Sequence, residues 1–243
     1  MIRVAVIIPA RYGAQRFPGK PLADLAGRPL VAHVVERARR VRGVDEVVVA
    51  TDDQRIARAA EAAGARAVVT GPAESGTDRV AQAARGLSPR PGIVVNLQGD
   101  EPLVEPEAVE RLVAVMQRGG VEMATLARPL LPEELARPQV VKVVTDLEGD
   151  ALYFSRAAIP HRRAGGDSPL ARAHVGVYAF TAAFLERFAS LPPGRLEREE
   201  ALEQLRVLEN GLKIRVVEAA YGGFGVDTPE DLERVRALLA AGA

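Results

Sequence analysis

The sequence of 243 residues contains no cysteine, which excludes disulfide scaffolds, zinc–thiolate sites and thiol nucleophiles. It has no excess of either charge, because Lys+Arg and Asp+Glu both total 32, so no net field favours nucleic acid or an anionic membrane. No stretch approaches 18 consecutive apolar residues, and the N-terminal apolar run has neither the length of a membrane span nor the flanks of a signal peptide. The sequence therefore predicts a cytoplasmic protein with no nucleic-acid or membrane partner.

Histidine and lysine are also scarce. The three histidines have no metal-ligand spacing and no G-x-S-x-G motif occurs, so zinc and serine hydrolases are poor candidates. His174 precedes a strand-like run and is the histidine that could face a pocket. Of the 32 basic residues, only three are lysines, namely Lys20, Lys142 and Lys213, and the others are arginines. A solvated position accepts arginine equally well, so each lysine marks a position where a compact ammonium can matter.

The remaining composition, 48% apolar and 26% charged, is that of a globular protein with one large core. Strand-like and helix-like stretches alternate over the first two thirds, which predicts βαβ units and a mostly parallel sheet covered on both faces. The predicted strands are Arg3–Pro9, Glu46–Ala50, Ala67–Thr70 and Gly92–Leu97, and the predicted helices are Leu30–Val41, Gln54–Ala63, Thr77–Arg85 and Pro106–Gln117.

The alternation changes between about residues 123 and 171. Val140–Thr145 and Asp150–Ser155 are joined by a short turn and predict a β-hairpin. We therefore expect a single domain, 1–243, with an α/β core (1–122 and 172–243) and an antiparallel insertion that is a candidate for dimer contacts. The core resumes with predicted helices near 181–191 and 196–209, a strand at 213–218 and a closing helix at 229–240.

Ligands of open parallel sheets bind beyond the carboxyl ends of the strands. The loop after the first strand (residues 9–21) carries three cations, Arg11, Arg16 and Lys20, and two glycines that let backbone N–H groups approach a polyphosphate. It is neither a Walker A motif nor G-x-G-x-x-G, because the glycine spacing differs. A solvated basic loop is the alternative interpretation.

Polar residues occur at three further sites after predicted strands. Ser75 and Thr77 open a helix, where they can serve as N-caps or present hydroxyls to a nucleotide. Asp100 follows the strand ending at Leu97, and Asp227 stands before the closing helix. A carboxylate at such a place can hold a hard cation that carries phosphates, or it can be only a turn or cap residue.

In order, these motifs resemble those of the cytidylyltransferases that make CMP-sugars, and most closely the 3-deoxy-manno-octulosonate (Kdo) cytidylyltransferases. The resemblance covers nearly the whole chain. Its segments are IIPARY…RFPGKPL (7–22), SGTDR (75–79), VNLQGDEP (95–102), VKVV (141–144), ALYFSRAAIP (151–160), HVGVY (174–178), LEQLRVLENG (202–211) and GVDTPEDLERV (225–235).

The resemblance implies an α/β nucleotide-diphospho-sugar transferase fold and the reaction of CTP with Kdo to give CMP-Kdo and diphosphate for lipopolysaccharide synthesis. It implies Mg²⁺ as cofactor and a homodimer. Lys20, Asp100 and Asp227 would be the catalytic residues, with the two aspartates holding the metal. Nucleotide contacts would come from Pro9, Ala10, Arg11, Arg16, Lys20, Ser75, Gly76, Thr77, Arg79, Gln98 and Asp100, and sugar contacts from Arg156, His174, Tyr178, Glu203 and Gln204.

Two departures from the family pattern concern single contacts. No hydroxyl occurs at Gly13–Gln15, where members commonly have a serine, and Ala173 stands where a cation often precedes the histidine. The alternatives are a CMP-sugar synthetase for a related ulosonic acid (8-amino-Kdo or sialic acid type), a nucleotide-sugar-dependent glycosyltransferase and a catalytically silent nucleotide-binding module. A glycosyltransferase would not need the triphosphate-binding cations, and the intact cations and aspartates argue against a silent module.

Overall fold

The computed structural model describes residues 2–13, 17–161, 163 and 170–241. Within this part of the chain, nine strands form one sheet and two short strands form a separate ribbon. The strands are β1 (Val4–Ala10), β2 (Asp24–Leu25), β3 (Arg28–Pro29), β4 (Glu46–Thr51), β5 (Arg66–Val69), β6 (Ile93–Asn96), β7 (Met123–Pro129), β8 (Lys142–Thr145), β9 (Ala151–Ser155), β10 (Arg172–Thr181) and β11 (Arg215–Glu218).

Seven strands make the main path of the sheet, in the order β11–β7–β10–β6–β1–β4–β5. Strand β1 pairs in parallel with β4 and β6, β4 with β5, and β11 with β7. Strand β10 runs antiparallel to both of its neighbours, β6 and β7. Both the mostly parallel sheet and the small antiparallel part were expected from the sequence.

The helices cover both faces of the sheet, because its central strands are apolar on both sides. Val4, Val6 and Ile8 belong to one buried cluster, and the intervening Ala5 and Ile7 belong to the other. The helices are α1 (Leu30–Arg39), α2 (Gln54–Ala62), α3 (Gly76–Arg85), α4 (Pro106–Gln117), α5 (Ala182–Ser190), α6 (Arg195–Glu200), α7 (Leu205–Glu209) and α8 (Pro229–Ala240). No helix in the described ranges has the length and apolarity needed to cross a bilayer.

The structure differs from the expected insertion at its beginning. Strand β7 starts at Met123 and lies inside the main sheet between β10 and β11, so the chain leaves the main path only after Pro129. The predicted hairpin is present: β8 pairs antiparallel with β9, and β8 also pairs with the start of β10. Alternation alone missed β7 and indicated β10 only as the strand-like run after His174, because the segments on either side of these strands do not repeat the βαβ pattern.

The helix predicted at 196–209 is two helices, α6 and α7, separated by a break. Ala201 ends α6 with φ 49°, a left-handed conformation. The guanidinium of Arg156 donates to the carbonyl oxygens of Glu200 and Ala201, so tertiary hydrogen bonds satisfy carbonyls that a continuing helix would have bonded. The break places Glu203 and Gln204 in the linker between the helices.

Candidate active site

The loops after β1 and β6 meet at the carboxyl edge of the sheet. A Cβ atom at Gly99 would lie 2.6 Å from the carbonyl oxygen of Pro9, so only glycine allows this close approach. The loop that precedes α8 joins them, because the backbone N–H of Val226 donates to the carbonyl oxygen of Asp100 at 2.8 Å. Segments more than a hundred residues apart therefore form one site.

A cavity of about 470 Å³, here called the first cavity, opens between these loops. It contains the predicted nucleotide-binding residues that the structure describes, apart from Thr77. Arg16 lies outside the described residues. The predicted residues that line the first cavity are Pro9, Ala10, Arg11, Lys20, Ser75, Gly76, Arg79, Gln98, Asp100 and Asp227.

The ammonium of Lys20 lies between two carboxylates at one side of the first cavity. Its Nζ atom is 2.6 Å from Oδ2 of Asp100 and 3.5 Å from Oδ1 of Asp227. Gly19, with φ 73°, begins the short 3₁₀-helix Lys20–Leu22 that carries the lysine. Lys20 thus contacts both of the other predicted catalytic residues.

Helix α3 begins at the first cavity with a capping box. The Ser75 hydroxyl accepts from the backbone N–H of Asp78, and the Asp78 carboxylate accepts from the Ser75 N–H. Ser75 therefore has the cap role that the sequence left open, and it also lines the cavity. Thr77 is 3% exposed and lies behind the cavity wall.

A hydrogen-bond chain fixes the side chain of Gln98 in the first cavity. Gln98 Nε2 donates to Asn96 Oδ1 at 3.2 Å, and Asn96 Nδ2 donates to Thr77 Oγ1 at 3.0 Å. Arg79, which is 4% exposed, is held by an ion pair with Asp52 at 2.8 Å. These polar groups are therefore held in position before a ligand binds.

A second cavity, of about 370 Å³, adjoins the first, since Asp100 and Asp227 line one while Glu101 and Gly225 line the other. The hydroxyl of Tyr178 donates to Gln204 Oε1 at 3.1 Å. Gln204 Nε2 is buried and has no partner among the described residues. The polar residues that line the second cavity are Glu101, Arg128, Gln139, His174, Tyr178, Gln204 and Tyr221.

His174 lines the second cavity as a neutral imidazole. Its Nε2 atom is 2.9 Å from Thr125 Oγ1, and that hydroxyl lies 2.9 Å from the carbonyl oxygen of Val177, to which it donates. The Thr125 oxygen then accepts from Nε2–H, which leaves Nδ1 as an acceptor. Burial lowers the pKa of His174 to about 3, so it is a hydrogen-bonding group and not a general base.

Comparison of the chain with known proteins identifies its family. A family model described as cytidylyltransferase matches residues 5–214. A 3-deoxy-manno-octulosonate cytidylyltransferase of Anaeromyxobacter sp. (strain Fw109-5) is 78% identical over 242 residues, which cover 100% of this chain and 99% of that protein. The chain belongs to the cytidylyltransferase family.

More distant cytidylyltransferases show how far the likeness extends. An 8-amino-3,8-dideoxy-manno-octulosonate cytidylyltransferase of Shewanella sp. (strain ANA-3) is 48% identical over 98% of this chain and 99% of that protein. The solved structure of a CMP:2-keto-3-deoxy-manno-octonic acid synthetase complexed with CTP is 44% identical and superposes with a TM-score of 0.94, covering 99% of this chain and 100% of that one. The fold class and the resemblance predicted from the motifs are confirmed.

Two predicted sugar contacts of this cytidylyltransferase lie outside the second cavity. Arg156 directs its N–H groups to the main-chain oxygens of Glu200, Ala201 and Pro138. The Glu203 carboxylate accepts from the hydroxyls of Ser75 at 3.0 Å and Thr77 at 3.1 Å. The tips of these side chains are bound by protein groups, so the structure does not bring Arg156 and Glu203 together with His174, Tyr178 and Gln204 in the second cavity.

Sequence reasoning missed Glu101, although the residue lies inside the VNLQGDEP segment. Its Oε2 atom accepts from the hydroxyl of Tyr221 at 2.9 Å, and its side chain lines the second cavity. Burial, and secondly the charge of Asp100, raise the pKa of Glu101 to about 7. The feature of the sequence that could have identified Glu101 is its position directly after Asp100, a predicted metal ligand.

Proposed function

We propose that this cytidylyltransferase transfers CMP from CTP to the anomeric hydroxyl of Kdo and releases diphosphate. The observation that carries the proposal is the contact of Lys20 with Asp100 and Asp227 at the junction of two polar cavities. A triphosphate in the first cavity and a sugar acid in the second would place the α-phosphorus beside these three charged groups. The relatives named 3-deoxy-manno-octulosonate cytidylyltransferase, at 74–78% identity, support Kdo over 8-amino-Kdo, which the name of the 48% identical relative specifies.

The transfer requires in-line attack. The anomeric hydroxyl loses its proton to water as its oxygen forms a bond to the α-phosphorus. The bond from that phosphorus to the oxygen that bridges to the β-phosphate breaks, and its electron pair leaves with diphosphate. Such a displacement depends on positioning and charge neutralisation more than on covalent catalysis. Arg11, which lines the first cavity, and Lys20 would neutralise the phosphates, and Arg16 is proposed for the same role on motif grounds.

The donor set fits magnesium. No cluster of three or more His, Cys, Asp or Glu residues suited to a metal occurs in the described ranges, but Asp100 and Asp227 converge on one ammonium. Mg²⁺ typically takes one or two protein carboxylates and fills its remaining positions with water and substrate phosphates. We propose Asp100 and Asp227 as its ligands. Bound there, the metal would neutralise the α-phosphate and acidify the attacking hydroxyl.

The sugar would lie in the second cavity. Gln204 Nε2 is a buried donor without an acceptor in the described part of the chain, and a substrate hydroxyl or carboxylate would satisfy it. His174 Nδ1 is an acceptor that can bind a sugar hydroxyl, and Tyr178 orients Gln204. The sugar contacts proposed here are therefore His174, Tyr178 and Gln204.

The biological setting is proposed on the resemblance. CMP-Kdo would serve lipopolysaccharide synthesis, and the reaction would take place in the cytoplasm, where CTP is made. The insertion would form a homodimer: Leu147 and Leu152, in and beside its hairpin turn, are 107% and 61% exposed, and β9 has only β8 as a partner in the described sheet.

Diphosphate release from CTP tests the proposal. The purified protein with Mg²⁺ is expected to release diphosphate when Kdo is added, and to do so much more slowly with 8-amino-Kdo or with sialic acid. Faster turnover with 8-amino-Kdo than with Kdo would show that 8-amino-Kdo, and not Kdo, is the acceptor. No release with any ulosonic acid would overturn the proposed reaction.

A further inference from the structure

The cation that the resemblance implies for the sugar acid, Arg156, does not line the second cavity. A ulosonic acid carries a carboxylate, and a fixed carboxylate in a partly closed cavity is normally met by a cation. Arg156 is unsuited to this role because its guanidinium is bound to main-chain oxygens outside the cavity. Among the described residues that line the second cavity, Arg128 is the one with a cationic side chain.

Arg128 is held in a fixed orientation at the end of β7. Its Nη1 and Nη2 atoms donate to the two carboxylate oxygens of Glu134 at 2.7 and 2.6 Å, and Nη1 also donates to the carbonyl oxygen of Pro129. Glu134 is 8% exposed and is itself fixed by the backbone N–H of Leu131 at 3.0 Å. This carboxylate orients Arg128 as a rigid group, and the ion pair holds the pKa of Glu134 below its usual value.

The contact with Glu134 uses only one end of the planar guanidinium. The Nε–H of Arg128 has no acceptor in the part of the chain that the structure describes, and Nε shares its edge with Nη2. That edge is the two-donor fork that pairs with a carboxylate in parallel hydrogen bonds. The same cavity holds the unpartnered Nε2 of Gln204, which is 3% exposed.

We propose that Arg128 binds the carboxylate of the sugar acid, with Gln204 as a second donor to the sugar. The inference rests on the proposed function and names the group that selects an acidic sugar. Glu134 acts as the positioning residue that holds the guanidinium before substrate arrives, which reduces the entropy lost on binding.

The first test is substitution with a matched control. Arg128→Met is expected to raise the KM for Kdo about 100-fold and to change the KM for CTP less than about twofold, since a charge-assisted pair with a carboxylate is lost. Arg42→Met is the control, because Arg42 also makes a multidentate pair with a glutamate, Glu110, but lines neither cavity. Unchanged Kdo KM in Arg128→Met would overturn the proposal.

Glu134→Gln separates binding from structural support. If Arg128 serves only to pair with Glu134, both variants will raise the Kdo KM equally, and that result would overturn the proposal. The expected result is a smaller rise in Glu134→Gln, because the guanidinium remains in the cavity.

The second test varies the ligand. Kdo and its carboxamide are compared by direct binding to the protein in the absence of CTP. The wild type is expected to prefer the acid about 30-fold or more, and Arg128→Met or, should that variant fold poorly, Arg128→Lys is expected to lose most of this preference. Preference retained in either folded variant would contradict the inference. Since this binding experiment needs no turnover, its result is independent of whether the proposed transfer occurs.

Discussion

Lys20 donates to Asp100 over a distance of 2.6 Å, although the two residues are 80 positions apart in the chain. The lysine side chain is 13% exposed and also approaches Asp227, so a single ammonium offsets the repulsion between two carboxylates. This contact joins the loop after β1 to the loop after β6, and it underlies the first two predictions.

We expect Lys20→Arg to lose most of its turnover while it remains folded. A planar guanidinium is larger than the ammonium that fits between Asp100 and Asp227, and its donors point in fixed directions. Diphosphate release at saturating CTP and Kdo measures the loss. Lys213→Arg is the control, because the side chain of Lys213 is 70% exposed and pairs with Asp150 away from both cavities. Wild-type turnover in Lys20→Arg would refute the requirement for an ammonium.

Asp100→Asn and Asp227→Asn are each expected to reduce turnover by about 100-fold or more, as the loss of other electrostatic stabilisers does. The wild type should be inactive in EDTA and should recover when Mg²⁺ is added. Asp53→Asn, at the N-cap of α2 and outside the lining of both cavities, is the matched control and should keep its activity, because asparagine also caps helices. Full Mg²⁺-dependent turnover in Asp227→Asn would leave that residue with only a role at the start of α8.

CTP is expected to be used at least about 100-fold better than ATP or GTP, because a site with fixed hydrogen-bonding groups rejects a base of another size and pattern. The fixed group is Gln98, which is held by Asn96. Gln98→Leu should reduce the preference, whereas Gln82→Leu should not, because the Gln82 amide donates to the Pro72 carbonyl oxygen and lines neither cavity. Turnover with each nucleotide gives the ratios, and equal use of ATP by the wild type would disprove the expectation.

The stability of the protein should decrease in acid through His174. Its pKa is about 3 in the folded protein against 6.5 as the ordinary value, so the folded state disfavours the imidazolium. The contribution of the neutral imidazole to the free energy of unfolding is complete above pH 6.5 and is lost as the pH falls towards 3.

We expect the free energy of unfolding of the wild type to fall, relative to His174→Asn, by about 1.4 kcal/mol per pH unit below about pH 6. Urea unfolding of both proteins at about pH 7.5 and about pH 5 measures the difference. Parallel pH dependence in the two proteins would show that burial of His174 does not govern it.

Lys142→Met is expected to destabilise the protein by about 3 kcal/mol or more, because each buried polar group left without a partner is costly. The Lys142 ammonium is 0% exposed and donates to the carbonyl oxygens of Arg137, Val140 and Arg156. Burial lowers the pKa of this lysine. Chemical unfolding gives the value, and the exposed Lys213→Met should change it by less than about 1 kcal/mol. An equal loss of unfolding free energy in Lys142→Met and Lys213→Met would show that the buried ammonium of Lys142 does not stabilise the fold.

The order of the motifs was sufficient to predict the family and the meeting of Lys20, Asp100 and Asp227. The alternation of strand-like and helix-like stretches was sufficient to predict the mostly parallel sheet. The physical reason is general: parallel strands end at a common edge, so residues that follow several strands come together without knowledge of any side-chain contact. The hairpin was predictable for an equally local reason, because two strand-like runs, Val140–Thr145 and Asp150–Ser155, are joined by a four-residue turn.

The directions of Arg156, Glu203 and Arg128 were decided only by the tertiary structure. Sequence position shows which loop carries a side chain, but the atoms that its tip meets depend on segments far along the chain. Arg156 donates to the carbonyl oxygens of Glu200 and Ala201, which are available because α6 ends at Glu200. These hydrogen bonds in turn stabilise the end of the helix. Arg128 faces the second cavity because β7 enters the main sheet, a placement that depends on its pairing with β10 and β11 and not on its own residues.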